Sequence, residues 1–420
     1  METKQPEPDN TTKIKLTFIL FGISSLLSWN AILTELDFFN VYVEGLEPSK
    51  SFSFLNFAFN IVLQFILLWK KDLFKIKYQL IFGLGASIAL LIIIPTLIKV
   101  LEDSKTLINA LTVILILIMG LINALCSSGF FAFVSFFPKE QIVALSTGQG
   151  FSGIIMNIIE YFILFFIGDK KDKTKLFIGA IIFFSISSVI LLITLIVLIF
   201  SLNTEYFKYY LELQDIEEIN EIDAGNEIEN NERLEDDQEN LIKPKLTFIQ
   251  MFNILKEIDI LCCILYIVTF AEFPVGFIGA KVFSLGNYNF NTILTIYNAF
   301  DTLGRYLTSF IKPNKIWAYI IILSRIILLI TIPVNYNFQV KSTDPNVILT
   351  SFGVIINISL LAITNGIGTT LCFAIAPSLV NDEYKGQAGA SVSFFIIVGI
   401  CLGSILQFAT GPIFKKIREK

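Results

Sequence analysis

Polar and charged residues recur at helical spacing in one otherwise apolar segment near residue 300. Asp301 and Arg305 are four residues apart, so their side chains can pair on one face of an α-helix. Ionised groups in hydrocarbon cost about 2.5–3.5 kcal/mol each, so this face must contact protein or water rather than lipid. The pattern favours a hydrogen-bonding wall for a polar solute, with a structural clamp between helices as the alternative. The polar face comprises Asn298, Asp301, Thr302, Arg305 and Ser309.

Two other apolar runs contain groups that could bind a flat, polar ligand. Trp29 is flanked by small polar residues, and its ring could stack on an aromatic ligand. A position in the aromatic belt at the membrane interface is the alternative for this residue. Gln149 has an amide that both donates and accepts, which matches the edge of a base. Ser146, Gly150 and Gly153 would let a second helix approach the same segment closely.

Three further charged residues and two prolines lie in or beside apolar runs. Glu160 and Glu272 are candidate proton-exchange sites, and pairing of either one with Arg325 is the structural alternative. Pro274 lacks a backbone donor, so we expect it to break its helix, and we expect Pro377 to loosen the helix before it. Broken helices in transporters commonly line the solute path or act as hinges.

Apolar runs of about 20 residues recur along the whole chain, which is the length that a membrane-spanning helix requires. Of the 420 residues, 54% are hydrophobic and 16% are charged, against about 25% charged in a soluble domain. We therefore predict an all-α polytopic membrane protein with 11 transmembrane helices. They lie near 16–36, 52–69, 79–100, 107–135, 142–167, 175–200, 258–280, 290–311, 316–334, 347–375 and 387–411.

An acidic segment separates six predicted spans from five. Residues 205–242 contain fourteen acidic and two basic residues, and a segment so charged is typical of a disordered, solvated loop. The N-terminus and the loop after the second span together carry seven lysines, whereas the loops after the first and third spans carry three. The positive-inside rule therefore favours a cytosolic N-terminus. The predicted organisation is a cytosolic N-terminus (1–15), a six-helix bundle (16–200), an acidic cytosolic loop (201–257), a five-helix bundle (258–411) and a tail (412–420).

Several kinds of chemistry are disfavoured by composition. The chain has no histidine, and its five cysteines all lie in apolar runs without metal-ligand spacing, so we expect no enzymatic activity, no metal and no cofactor. Basic residues are scattered at helix ends, so we expect no nucleic-acid partner. A carrier of the six-plus-six type would need a twelfth apolar run, and none follows Pro412. A receptor would need seven spans, fewer than the eleven predicted here.

These segments together resemble the equilibrative nucleoside transporter family. Asn298-Ala-Phe-Asp301-Thr-Leu-Gly304-Arg305 resembles the family's Asn-x-Phe-Asp-x-Leu-Gly-Arg motif, the most specific of the set. Ser146-Thr-Gly148-Gln149-Gly150 resembles its Ser-Gly-Gln-Gly motif. Leu27-Ser-Trp29-Asn30 resembles its Pro-Trp-Asn signature, with Ser28 in place of the proline. Gly148 and Gly304 thus join the residues expected to permit close packing or bending.

The resemblance implies a monomeric carrier with a 6+5 arrangement resembling the major facilitator fold, which moves purine or pyrimidine nucleosides by alternating access. Carried over to this chain, Gln149 would bond the base and Trp29 would pack beside it. Asp301 and Arg305 would bond the ribose hydroxyls, supported by Asn298. The resemblance favours facilitative transport in the plasma membrane. Proton-coupled transport of nucleosides or nucleobases, an endosomal or lysosomal membrane, and a battenin-like protein of other function are the alternatives.

Overall fold

The protein is described by a computed structural model over residues 11–43, 45–46, 48–70, 74–167, 172–210, 248–273, 277, 289–341 and 347–418, and every regular element there is helical. The all-α prediction is thereby confirmed for this part of the chain. The first seven helices are α1 (Thr11–Thr34), α2 (Leu36–Tyr42), α3 (Pro48–Trp69), α4 (Ile76–Val100), α5 (Lys105–Val134), α6 (Lys139–Ile167) and α7 (Lys173–Ser201). The next six are α8 (Phe248–Glu272), α9 (Asn289–Leu307), α10 (Lys315–Ser324), α11 (Leu328–Lys341), α12 (Val347–Ile375) and α13 (Lys385–Arg418).

Nine of the described helical segments are long and apolar enough to cross a membrane. The predicted seventh and eighth spans are helical, as α8 and α9, but they are not among these nine. α8 contains Lys256, Glu257, Asp259 and Glu272, and α9 contains the polar face around Asp301. The count of 11 spans therefore stays a prediction, and both spans outside the nine carry buried charged side chains. Most of the acidic segment, residues 211–247, lies outside the described residues.

The predicted ninth span, 316–334, is not one regular helix. A 3-10 turn, Arg325–Ile327, separates α10 from α11. Because a 3-10 turn has 3.0 residues per turn instead of 3.6, it changes which residues of the two flanking helices share a face. Arg325, the first residue of this turn, is only 1% exposed.

Three helix pairs account for the closest packing in the protein. α1 packs along α6, α8 along α13, and α9 along α12. The first half (α1–α7) and the second half (α8–α13) meet where α6 contacts α9 and where α13 contacts α3 and α5. Large apolar side chains such as Phe165, Phe166 and Ile330 are mostly exposed, as expected of a surface in contact with lipid.

The crossing of α1 and α6 depends on two glycines. A Cβ atom at Gly22 would overlap the carbonyl oxygen of Leu145, and one at Gly148 would overlap the carbonyl oxygen of Ile19. Both obstacles are backbone atoms, which cannot move aside without separating the helices. This contact is the small-residue packing that replaces hydrophobic driving force inside a bilayer.

We predict that Gly148→Ala destabilises the protein, because the methyl group would force α1 away from α6. Overpacking of this kind costs about 1–3 kcal/mol. The matched control is Gly85→Ala in α4, where a Cβ atom would meet open space, and where alanine favours the helix by about 0.5–1 kcal/mol. Thermal unfolding in detergent should show a lower apparent Tm for Gly148→Ala only. An equal Tm for the two variants would contradict the packing argument.

Candidate functional site between the halves

The guanidinium of Arg305 lies at the contact between α9 and α6. Its Nε donates to Asp301 Oδ2 over 2.7 Å, in an ion pair one helical turn long. Its Nη1 donates to Gln149 Oε1 and Ser146 Oγ over 3.1 Å each, and to the Ser146 carbonyl oxygen over 3.3 Å. Arg305 and Asp301 are 4% and 6% exposed. The arrangement brings together Gln149, Asp301 and Arg305, three of the five residues predicted to bind substrate.

Two hydroxyl contacts connect this group to other helices. Gln149 Nε2 donates to Ser25 Oγ of α1 over 3.1 Å. Ser146 Oγ lies 2.7 Å from Thr370 Oγ1 of α12. The polar groups around Arg305 therefore come from α1, α6, α9 and α12, so the site is built by both halves of the protein.

Asp301 has a second partner on its other oxygen. Asn365 Nδ2 of α12 donates to Asp301 Oδ1 over 2.8 Å. Asn365 Oδ1 in turn accepts from Thr269 Oγ1 of α8 over 2.8 Å and from Arg325 Nη1 over 3.4 Å. The carboxylate is thus held from both sides, by Arg305 and by Asn365.

The predicted alternative pairing of Arg325 with Glu160 or Glu272 is wrong. The hydrogen bonds of the Arg325 guanidinium go to neutral oxygens: the carbonyl groups of Leu265 and Leu361, Thr269 Oγ1 and Asn365 Oδ1. These acceptors lie where the 3-10 turn after α10 meets α8 and α12, whereas Glu160 belongs to α6 in the other half. Glu272, at the end of α8, is 2% exposed, and its Oε2 has no hydrogen-bond partner in the described part of the chain.

Trp29 is buried inside the first half and is not part of an interfacial aromatic belt. The indole is 7% exposed and packs edge-on against Phe57, with ring centroids 5.2 Å apart. Phe57 in turn lies 6.3 Å from Phe270 of α8, so aromatic rings connect the two halves beside the polar group. Trp29 follows Ser25 by one turn of α1, which places both residues on a shared face of that helix.

The glycines of α6 allow the polar face of α9 to pack closely against α6. A Cβ atom at Gly150 would overlap Thr302, and one at Gly153 would overlap the Asn298 side chain. Asn298 is half-buried in this position. Gly304 has the same role toward α12, because a Cβ atom there would overlap the Ile363 carbonyl oxygen. Asn298 thus lies against α6, and its support of Asp301 and Arg305 stays a prediction.

Three sequence-based expectations about this region need correction or lie beyond the described residues. Ser309 is exposed and does not belong to the polar face, because α9 ends at Leu307 and a 3-10 turn follows. Pro377 lies in a short 3-10 segment after α12 has ended at Ile375, so it terminates this helix and does not loosen its interior. Pro274 lies outside the described residues.

Several buried polar residues carry contacts that sequence reasoning did not assign. Asn365 connects Asp301 to Arg325, although its sequence context shows only an amide in an apolar run. Asp259 is fully buried between α8 and α13, where its Oδ2 accepts from Ser391 Oγ over 2.8 Å. A third set does carry a sequence signal, the four-residue spacing of amides along α3. It comprises Asn56, Asn60 and Gln64, which face Asn123 and Ser127 of α5.

The chemistry of the central group is that of reversible hydrogen bonding. It offers a carboxylate acceptor, a guanidinium donor, two carboxamides and three hydroxyl groups, all buried. Within the described ranges, no cluster of three His, Cys, Asp or Glu side chains could hold a metal ion. Such a set of groups suits an uncharged ligand that carries both donors and acceptors.

Two solved transporter structures share this fold. The proton:xylose symporter of the major facilitator superfamily superimposes with a TM-score of 0.65 at 13% identity, over 96% of this chain and 89% of that one. The fucose:proton symporter of E. coli superimposes with a TM-score of 0.57 at 12% identity, over 98% of this chain and 99% of that one. At such low identity the likeness concerns the fold alone.

The sequence itself matches one family over most of its length. A family profile described as nucleoside transporter matches residues 113–410. The equilibrative nucleotide transporter 7 of Arabidopsis thaliana is 24% identical, over 94% of this chain and 95% of its own length. The equilibrative nucleoside transporter 1 of Homo sapiens is 22% identical, over 97% of this chain and 99% of its own length.

Fold and site define an integral, multi-pass membrane protein with the major facilitator fold and a polar group shared between its two halves. The likeness to the major facilitator fold expected from the sequence motifs is confirmed. The chain belongs to the nucleoside transporter family.

We predict that Ser25→Ala weakens solute binding, because the amide nitrogen of Gln149 loses the hydroxyl oxygen to which it donates a hydrogen bond. One neutral hydrogen bond is worth about 1 kcal/mol, equivalent to an increase of about fivefold in KM for nucleoside uptake. The matched control is Ser24→Ala, since the equally buried Ser24 bonds to Thr194 instead. Equal KM values for the two variants would contradict the positioning of Gln149 by Ser25.

Proposed function

We propose that the protein is a facilitative nucleoside carrier that works by alternating access. The observation that carries the proposal is the direct hydrogen bonding of Arg305 on α9 to Gln149 and Ser146 on α6. The groups suited to bind a nucleoside are the same groups that join the two halves. Binding and conformational change therefore act on one set of bonds.

The chemistry of a nucleoside complements this set. A ribose has hydroxyl groups that both donate and accept, so it can bond to Asp301 and Arg305 together. The base offers donors and acceptors along its edge to the carboxamide of Gln149. Its flat face can lie against the indole of Trp29, which is already in contact with the ring of Phe57.

A bound nucleoside would exchange one set of hydrogen bonds for another. In the described conformation, Arg305 Nη1 shares its two hydrogens among three acceptors on α6, in contacts of the charge-assisted kind, of which a full bond contributes about 1.5–3 kcal/mol. A solute that supplies equivalent acceptors allows the halves to separate without leaving the guanidinium unpaired. The ligand can then shift the population between states that open to opposite sides of the membrane.

The proposal also covers the oligomeric state, the membrane and the partners of the protein. We infer a monomer in the plasma membrane, with a nucleoside as its small-molecule partner and without enzymatic activity or a nucleic-acid partner. A proton-coupled carrier is the second candidate, because buried carboxyl groups, Asp259 and Glu272 among them, have an oxygen without a hydrogen-bond partner in the described part of the chain.

We predict that Asp301→Ala and Arg305→Ala each abolish nucleoside uptake, because each leaves the other charge buried without its partner. Removing one member of a buried pair costs about 3–5 kcal/mol. Uptake of radiolabelled adenosine and uridine should be measured in cells that lack their own nucleoside transporters, together with the amount of protein at the membrane. The matched control is Glu257→Gln, which removes an exposed ion pair with Lys315 and should leave uptake unchanged. Normal uptake by both Ala variants would mean that the α9 pair only holds helices together.

We further predict that uptake persists when a protonophore collapses the proton gradient, because a facilitative carrier uses only the solute gradient. The control is a proton symporter expressed in the same cells, which should lose accumulation. Accumulation above equilibrium that disappears with the protonophore, and also in Glu272→Gln, would support the proton-coupled candidate instead.

A further inference from the structure

A second buried guanidinium, that of Arg325, is linked to the Asp301 carboxylate of the candidate site through the side-chain amide of Asn365. Arg325 is 1% exposed, and it donates four hydrogen bonds to neutral oxygens from α8 and α12. Its Nε has no partner in the described part of the chain. Four neutral acceptors compensate a buried charge poorly, and an apolar residue would hold these helices at lower cost. The retained charge therefore indicates a role beyond packing.

Arg325 dictates how the Asn365 amide is oriented. A guanidinium can only donate, so the side of the amide that faces Arg325 must be the oxygen Oδ1. The hydroxyl of Thr269 accepts from Arg325 Nη2 over 2.7 Å, and its single proton is shared between Asn365 Oδ1 and the Leu265 carbonyl oxygen, each at 2.8 Å. With Oδ1 fixed by these two donors, Nδ2 is turned toward Asp301.

The amide in turn fixes the carboxylate. Asn365 Nδ2 bonds to Asp301 Oδ1, while Arg305 Nε bonds to Asp301 Oδ2. Each carboxylate oxygen has two lone-pair directions, so each retains one for a further donor. Without Asn365, the carboxylate would be held at one oxygen only and could rotate about the bond to Arg305. Two adjacent hydroxyl groups on a ligand require both oxygens in fixed positions.

We propose that Arg325, Thr269 and Asn365 form a relay that positions Asp301 to recognise the vicinal hydroxyl groups of a ribose. The inference rests on the proposed function, in which Asp301 is the ribose acceptor. Asn365 and Arg325 act through Asp301 and are positioning residues. The relay sets the preference of the carrier for ribonucleosides over deoxygenated analogues of the same base.

The test compares two ligands that differ only in the hydroxyl groups. Adenosine and 2′,3′-dideoxyadenosine are titrated against the purified full-length protein, as are uridine and 2′,3′-dideoxyuridine. In the natural protein, we expect each ribonucleoside to bind at least tenfold more tightly than its analogue. In Asn365→Leu, we expect the Kd of the ribonucleoside to rise about tenfold while that of the dideoxy analogue changes less than twofold. The ratio then falls to near one.

Thr269→Val is a second variant that keeps the shape of the side chain. It removes the hydroxyl that joins Arg325 to Asn365, at a position with no solvent exposure. We expect the ratio of the two Kd values to fall about threefold. The matched control is Thr112→Val in α5, an equally buried threonine whose hydroxyl has no partner in the described part of the chain. This control should leave the ratio unchanged.

The outcomes separate the relay from the proposed function. If the natural protein binds both members of each pair equally well, Asp301 is not a ribose acceptor and that part of the proposed function fails. If the natural protein discriminates but Asn365→Leu and Thr269→Val keep the same ratio, the relay is overturned. Equal loss of affinity for both ligands in these variants would show a purely structural role, and would also overturn it.

Discussion

The structure depends on a guanidinium buried where the two halves of the protein meet. Arg305 belongs to α9, yet three of its four hydrogen bonds are made to α6. In a hydrocarbon environment such a charge needs partners, because removing it from water without them costs several kcal/mol. The cross-half contact, the glycines that let α6 approach α9, and the Ser25 and Thr370 hydroxyls all serve to satisfy this one group or its acceptors.

The two buried arginines make different kinds of contact. Arg325 holds helices of the second half together, and Arg305 joins the second half to the first. The contacts of Arg325 all lie within the second half, on α8 and α12, so they need not change when the halves move as rigid bodies. The contacts of Arg305 to α6 cross between the halves and must change in such a movement. The Asp301 carboxylate and the Asn365 amide connect the permanent set of bonds to the exchangeable one.

The sequence predicts the local features of this site well and the distant ones poorly. The polar face of α9 is visible because Asp301 and Arg305 are four residues apart on a helix, which is a local relation. The bond between Arg305 and Gln149 joins positions 156 residues apart and follows only from packing. The 3-10 turns at Thr308 and at Arg325 are likewise not visible in the sequence pattern. Neither turn contains a proline or glycine, and the first one displaces Ser309 from the polar face.

The polarity of α8 and α9 has a consequence for how the protein is made. Each helix carries ionisable groups that disfavour entry into lipid as an isolated segment. Their closest packing partners are α13 and α12, which are synthesised later. During synthesis, the bond between Asp301 and Asn365 therefore cannot form until α12 has been made, and the bond between Asp259 and Ser391 cannot form until α13 has been made. The polar group around Arg305 is completed only when the last helices have joined the bundle, so biogenesis of the second half is cooperative and ends with the groups proposed to bind the solute.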